Sequence, residues 1–216
     1  MGSGGESMAP GLERKRERRI AIIRAALEAL GEKGLAETRM IDIARRVRMS
    51  PGHVLYYFPS KKALLMAALQ WNEELFYRQA ADELAKLSTA WDRLVRLMEQ
   101  NTPSGQGDPG WLLWLETWAN AAHDEEVARH QAELGRRWTA QIVGVVREGQ
   151  DRGEFATVPA DLFALRLTAL MDGLAIMVVT GAGQVSRQRM LQESRRWAAE
   201  QLGVREGAAT PPGSRP

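Results

Sequence analysis

The stretch from Thr38 to Lys62, TRMIDIARRVRMSPGHVLYYFPSKK, constrains this chain more than any other. Thr38 is a good N-cap residue, and Ile41, Ala44 and Val47, with Ile43 beside them, follow at helical spacing. The pattern fails at Arg48-Met49 and restarts at Ser50-Pro51, where a capping serine precedes a proline suited to the first helical position. Pro59 lacks an N–H and disfavours helical geometry at Phe58, so the second helix must be brief. Ser60 then caps a third helix that opens with Lys61 and Lys62. Two short helices joined by a tight turn form a helix-turn-helix, whose second helix can enter a DNA major groove.

Polyanion binding needs positive charge in the same place. The chain of 216 residues has a net charge of +2, but residues 1–62 hold 13 Lys/Arg against 7 Asp/Glu. The basic end therefore coincides with the helix-turn-helix, while the remainder is net acidic. Within it, Ser50, Gly52 and His53 can be presented to base edges and phosphates, with Tyr56 and Tyr57 exposed beyond them. Val54, Leu55 and Phe58 are expected to pack inward. Gly52 permits close backbone approach, Tyr56 offers a hydroxyl to phosphate, and Lys61 adds its charge to a helix N-terminus. The cluster Arg14, Lys15, Arg16, Arg18, Arg19 either reaches along the DNA backbone or is a solvated helix end.

IIRAALEALGEKG (22–34) and IDIARRVRMSPGHVLYYFPSKKALL (41–65) resemble the first helix, the helix-turn-helix and the start of the fourth helix of TetR-type transcriptional repressors. The match includes Ile43-Ala44, Ser50, Gly52, Leu55-Tyr56, Phe58 and Ser60-Lys61. The resemblance implies DNA contacts at Thr38, Arg39, Gly52, His53, Tyr56, Tyr57 and Lys61. One position departs: the family usually has glycine in the turn where this chain has Arg48. Either Arg48 adopts a left-handed conformation at some cost or the turn differs, and its charge can lie beside DNA.

The remaining segments also read as helices. Leu12–Lys33 carries Ile20, Ile23, Leu27 and Leu30 as its apolar stripe and ends at Gly34. A long helix runs from Ser60 towards Leu87, and a short amphipathic one covers Ala90–Gln100. After the loop TPSGQGDPG, Asp108-Pro109 opens the helix WLLWLETWANAA. A helix rich in acids at its start follows over 124–153, then a strongly apolar one over Pro159–Thr180 and a final amphipathic one over Ser186–Leu202. No segment shows sustained two-residue alternation, so the expected fold is all-α with about nine helices. The expected organisation is a DNA-binding domain over 12–59, a helical ligand-binding and dimerisation domain over 60–203, and disordered tails over 1–11 and 204–216. MGSGGESM reads as a cloning-derived leader, with Met8 a candidate native start.

Trp111, Trp114 and Trp118 lie on one helical stripe, and Trp71, Phe76, Trp91 and Trp138 lie on neighbouring helices. These rings either build a core or line a cavity for an apolar or cationic ligand. The Trp-rich helix, REGQDRGEF (147–155) and ALMDGLAI (169–176) resemble the C-terminal domain of the BetI-type branch. That resemblance implies a ligand cavity at these rings, with Met171, and one member of the branch senses choline. Glu116 and Asp172 are either countercharges or solvent-facing or capping acids. The resemblance also implies a homodimer through two C-terminal helices, and 159–180 is apolar on more than one face, as an interface helix would be.

Several classes are excluded or unsupported. With no cysteine, disulfides and thiolate chemistry are excluded, which fits a reducing cytoplasm. His123 and His130 are too far apart on a helix for one metal ion, and no cofactor motif is present. No secretion signal is seen, and Asp172 and Gly173 break the longest apolar run, so no membrane partner is expected. The reading is a ligand-responsive repressor, with double-stranded operator DNA and an unidentified small molecule as partners. The rivals are a small-molecule enzyme or a helical scaffold, although no nucleophile–base signature supports the first.

Overall fold

A computed structural model describes residues 10–204, apart from the side chains at 10, 35, 36 and 76–82. The expected tails at 1–9 and 205–216 lie outside the described residues. Among those described there are nine α-helices and no strand: α1 (Pro10–Glu37), α2 (Met40–Arg46), α3 (Pro51–Tyr57), α4 (Lys61–Leu84), α5 (Ala90–Gln100), α6 (Pro109–Ala121), α7 (Glu125–Asp151), α8 (Ala160–Thr180) and α9 (Arg187–Leu202). The chain forms two compact units, one of residues 1–75 and 107–127, the other of 76–106 and 128–216. The first thus holds α1–α3, the head of α4, and the tryptophan-rich α6.

In this first unit α6 packs on α1. Of the expected stripe, Ile23 and Leu30 are buried and Ile20 and Leu27 half-buried, while Ile22, Ala25, Ala26 and Ala29 complete the buried face. The two helices meet closely at Gly31, where a Cβ would sit 2.7 Å from the Pro109 ring. Gly34 interrupts α1 at φ 73°, ψ 170°, a conformation favouring glycine, so the sequence-predicted stop lies where the backbone turns.

The residue preceding α2 is Arg39, with no side-chain cap, which corrects the assignment of Thr38 as N-cap. Thr38 is buried instead, its hydroxyl donating to the Gly34 carbonyl at 2.7 Å, with that of Ala29 at 3.2 Å. Of the apolar residues on α2, Ile43 and Ala44 are buried while Ile41 is 43% exposed. Arg46 binds Glu32 on α1, and this hydrogen bond holds the Glu32 carboxyl below its usual range.

The turn after α2 closes by two bonds, from the Arg48 N–H to the Arg45 carbonyl (3.2 Å) and from the Met49 N–H to Ala44 (2.9 Å). This pairing is a Schellman stop, which requires a left-handed residue after the cap. Arg48 supplies it, at φ 55°. Of the two alternatives left by the missing glycine, the turn is preserved and the arginine carries the strain. Ser50 caps α3 by accepting from the His53 N–H at 3.2 Å, and Ser60 caps α4 by accepting from Ala63 at 3.0 Å. Lys62 reaches the start of α7, binding Asp124 at 2.5 Å and Glu126 at 3.0 Å.

The second unit contains the end of α4 with α5, α8, α9 and α7 from residue 128 onward. Helix α4 stops at Leu84, three residues short of the expected end. The REGQDRGEF segment builds one corner of this unit almost residue by residue. Glu148 pairs with Arg93 at 2.6 Å, which lowers the Glu148 pKa, and Glu154 accepts from the Ala90 N–H at 2.6 Å, capping α5. Arg147 binds Asp161 at 3.0 Å, and the Gln150 amide donates to the carbonyls of Val158 (2.9 Å) and Ala156 (3.2 Å). Phe155 folds over Gly149 so closely that a Cβ there would lie 2.2 Å from its ring. The segment that resembles a family signature is therefore architectural.

Helix α8 spans Ala160–Thr180, close to the expected Pro159–Thr180, and Asp172 and Gly173 interrupt its apolar run without interrupting the helix. Its 21 residues, with a most apolar window of mean hydropathy 1.9, are long and apolar enough to cross a membrane by length and composition alone. Two apolar faces account for this. Phe163, Ala164, Leu167, Met171 and Ala175 are buried, whereas Leu162, Leu165 and Ile176 stay exposed. Asp172 lies in mid-helix, so it is not a capping acid, and burial pushes its pKa up to about 6. An unforeseen 3-10 turn, Ala182–Gln184, precedes α9, which Ser186 caps through the Arg189 N–H at 3.1 Å. Trp197 of α9 stacks on Phe163 of α8 at 5.2 Å between ring centroids.

The turn supplies a test of its own strain. A left-handed non-glycine residue costs roughly 1–2 kcal/mol, so Arg48→Gly should stabilise the fold by about 1 kcal/mol after glycine's greater unfolded-state entropy is deducted. Chemical denaturation measures it; a variant less stable than the parent would show that the arginine side chain contributes more than its backbone costs.

Candidate nucleic-acid interface

Helix α3 has seven residues, too few to be stable alone, so packing decides which of its faces is free. Val54 and Phe58 are 0% and 1% exposed and form the inward stripe. Leu55, also expected inside, is 43% exposed, because so short a helix offers one inward line and Leu55 lies beside it. Arg19 of α1 covers this packed edge: its guanidinium lies 4.4 Å from the Phe58 ring centroid and donates to the Tyr57 carbonyl at 3.4 Å.

The opposite face carries most of the residues proposed from sequence. Ser50, Gly52 and His53 are exposed, Tyr56 is 69% exposed and Tyr57 is half-buried. The rings of His53, Tyr56 and Tyr57 form a cluster with centroid separations of 5.4–6.5 Å. Gly52 has ordinary helical backbone, and a Cβ there would meet nothing within 4 Å. Internal packing thus makes no demand for glycine, although glycine costs a helix about 1 kcal/mol relative to alanine. Arg39 and Arg48 are exposed and Lys61 is half-buried at the head of α4. Thr38 stands apart from this set, since its N–H and hydroxyl are both spent on Gly34. Leu55 is the exposed residue on this helix that sequence reasoning missed.

The residues proposed for a ligand fall into two groups. In the first unit, Trp111 is buried and lies 6.3 Å, edge-on, from half-buried Trp118, which also lies 6.3 Å from Trp114. Trp71 of α4 is half-buried, with the Arg24 guanidinium 5.5 Å from its ring. Glu116 lies within α6, away from either end. In the second unit, Trp138 is buried and its indole N–H donates to the Thr168 hydroxyl at 3.1 Å. Met171 is fully buried and Trp91 half-buried, while the Phe76 side chain lies outside the described residues. Sequence reasoning missed three polar atoms on α7: His130 Nε2, Gln131 Nε2 and Gln141 Oε1 are buried without a hydrogen-bond partner.

Known proteins match at both ends of the chain. Residues 22–68 match the family model "Bacterial regulatory proteins, tetR family", and residues 90–203 match "BetI-type transcriptional repressor, C-terminal". The HTH-type transcriptional regulator BetI of Yersinia pestis is 26% identical over 191 residues, spanning 87% of this chain and 94% of the relative. The regulator of the same name from Escherichia coli is 27% identical over 188 residues, spanning 86% and 94%. Among solved structures, a transcriptional regulator from Saccharomonospora viridis in complex with choline superposes with a TM-score of 0.81 at 32% identity, covering 87% of this chain and 98% of that one. These relatives are regulators rather than enzymes, and their all-helical fold with an N-terminal helix-turn-helix is the one described above. The chain belongs to the TetR family of bacterial transcriptional regulators, with a C-terminal region of the BetI type.

Proposed function

We propose that this regulator is a cytoplasmic repressor that binds a palindromic operator as a homodimer and is released by a small molecule held among its C-terminal helices. The observation that carries the DNA reading is the outward face of α3. Glycine at position 52 answers no internal requirement, and beside it stand His53 and a tyrosine 69% exposed. A backbone or base edge approaching from outside would use that gap. In this reading Ser50, Gly52, His53 and Tyr56 meet bases and phosphates, Leu55 meets a thymine methyl, and Arg39, Arg48, Tyr57 and Lys61 hold the flanking backbone. Thr38 acts by positioning Arg39.

The exposed side of α8 supports dimerisation. Leu162, Leu165, Ala169, Gly173 and Ile176 follow one helical line, and a Cβ on Gly173 would meet nothing within the chain. Two copies pairing α8 and α9 about a twofold axis would cover that line and place two copies of α3 in successive major grooves, ~34–36 Å apart or a multiple of it.

Support for a ligand comes from α7 and α8 of the second unit. Buried polar groups without partners are uncommon, and α7, the helix of Trp138, carries three. Asp172 lies one turn beyond Thr168, the hydrogen-bond partner of that indole, and a cation near it would offset the burial that raises its pKa. The S. viridis neighbour was solved with choline, a cation of this kind. Release requires that the ligand bind the DNA-free arrangement more tightly, since only differential binding shifts such an equilibrium.

Selection from a random duplex pool should recover one palindrome with evenly spaced half-sites; a pool without any enriched motif would overturn the operator reading. On the recovered duplex, Tyr56→Phe should weaken binding roughly fivefold, the effect of one phosphate hydrogen bond of about 1 kcal/mol. Leu165→Glu places a charge on the exposed line of α8 and should convert the dimer to monomer in light scattering. A variant that remained dimeric would move the interface elsewhere.

A further inference from the structure

Helix α1 begins with a segment that internal packing does not explain. From Gly11 to Arg19 every residue is exposed, before the buried stripe starts at Ile22. Helices in water owe most of their stability to a packed face, and this one runs more than two turns without one. Its sequence, GLERKRERR, holds five cations and two acids.

Their arrangement around the axis is not random. At ~100° per residue, Lys15, Arg18 and Arg19 fall within about 100° of one another, Arg14 and Arg16 flank them, and Glu13 and Glu17 lie ~160° from Lys15 on the far side. Two contacts fix which way the basic side points. The Lys15 ammonium lies 5.5 Å from the Tyr56 ring centroid, and Arg19 spans the Phe58 ring and the Tyr57 carbonyl. The cationic side of α1 is therefore continuous with α3, and its acids face away from it.

Elsewhere the basic side chains are largely engaged: Arg46 with Glu32, Lys62 with Asp124 and Glu126, Arg93 with Glu148. Among the described residues, Arg14, Lys15, Arg16 and Arg18 have no carboxylate partner. Arg19 is committed to α3, so Lys15 and Arg18 are the cations of the central face left for an outside anion.

The geometry points to the first turns of α1 as a second DNA-contacting surface, in which Lys15 and Arg18, flanked by Arg14 and Arg16, grip the phosphate backbone bordering the groove that α3 enters. This inference rests on α3 facing DNA, but it concerns phosphate contacts, which act on any duplex whatever its sequence.

Each phosphate contact adds about 0.9 to the steepness of log affinity against log salt. The test is a salt titration of the full chain on a mixed-sequence duplex, comparing wild type with Lys15→Gln/Arg18→Gln. Both positions are exposed and glutamine is a good helix former, so the thermal midpoint should not move. The variant should lose about 1.8 from the slope per bound protomer. Between about 50 and 200 mM salt, wild type should then lose about tenfold more affinity per protomer than the variant does. Lys86→Gln/Arg136→Gln removes the same charge from the second unit and should keep the wild-type slope.

Equal slopes for wild type and the α1 variant overturn the inference, as does a control that falls with it, or a wild type that fails to bind the duplex at low salt. The operator reading is judged separately by the selection experiment. A slope that depends on α1 without any enriched palindrome would uphold this surface while removing sequence-specific recognition.

Discussion

The burial of two side chains, Val54 and Phe58, governs the DNA-facing end of this protein. Helix α3 has seven residues and cannot hold itself as a helix in water. Its orientation is decided by which line of side chains is drawn into the core, and only positions 54 and 58 share that line. Once they are inside, Gly52, His53 and Tyr56 must be outside. The Schellman turn at Arg48, the Ser50 cap and the Arg19 guanidinium over Phe58 hold that choice in place.

Much of this was legible in the sequence because its signals are local. Ser50-Pro51 starts a helix and Pro59-Ser60 separates two, whatever surrounds them, and both boundaries are found in the structure. What was illegible depends on contacts between distant residues. Thr38 looks like a cap, yet its hydroxyl turns back to α1, which no propensity encodes. The stripe on α1 was half legible: Ile23 and Leu30 are buried, but large apolar residues were weighted above alanine, and Ala25, Ala26 and Ala29 lie inward where Ile20 and Leu27 are only half-buried. Leu55 was placed in the core by its chemistry and left outside by the geometry of a two-turn helix.

The C-terminal region shows the same division. Its resemblance to a known branch rested partly on REGQDRGEF, and the structure gives that segment a building role: it caps α5, ends α7 and positions Phe155. A signature of this kind identifies the branch without identifying what the branch member binds. The tryptophans were conspicuous in sequence, but Trp111 and Trp118 lie in one compact unit and Trp138 in the other. The polar atoms on α7 left without partners are visible only in the folded chain, since burial depends on distant residues. Likewise, composition announced that α8 was too apolar for one face, while its exposed line emerged only from the fold.

The central claim is that the outward face of α3 is the surface that meets DNA. Amide hydrogen exchange of the full chain, with and without saturating duplex DNA, tests it directly. Slowed exchange concentrated in residues 50–61 is the expected result. Protection confined to the second unit, or none anywhere under conditions where the duplex is bound, would contradict it.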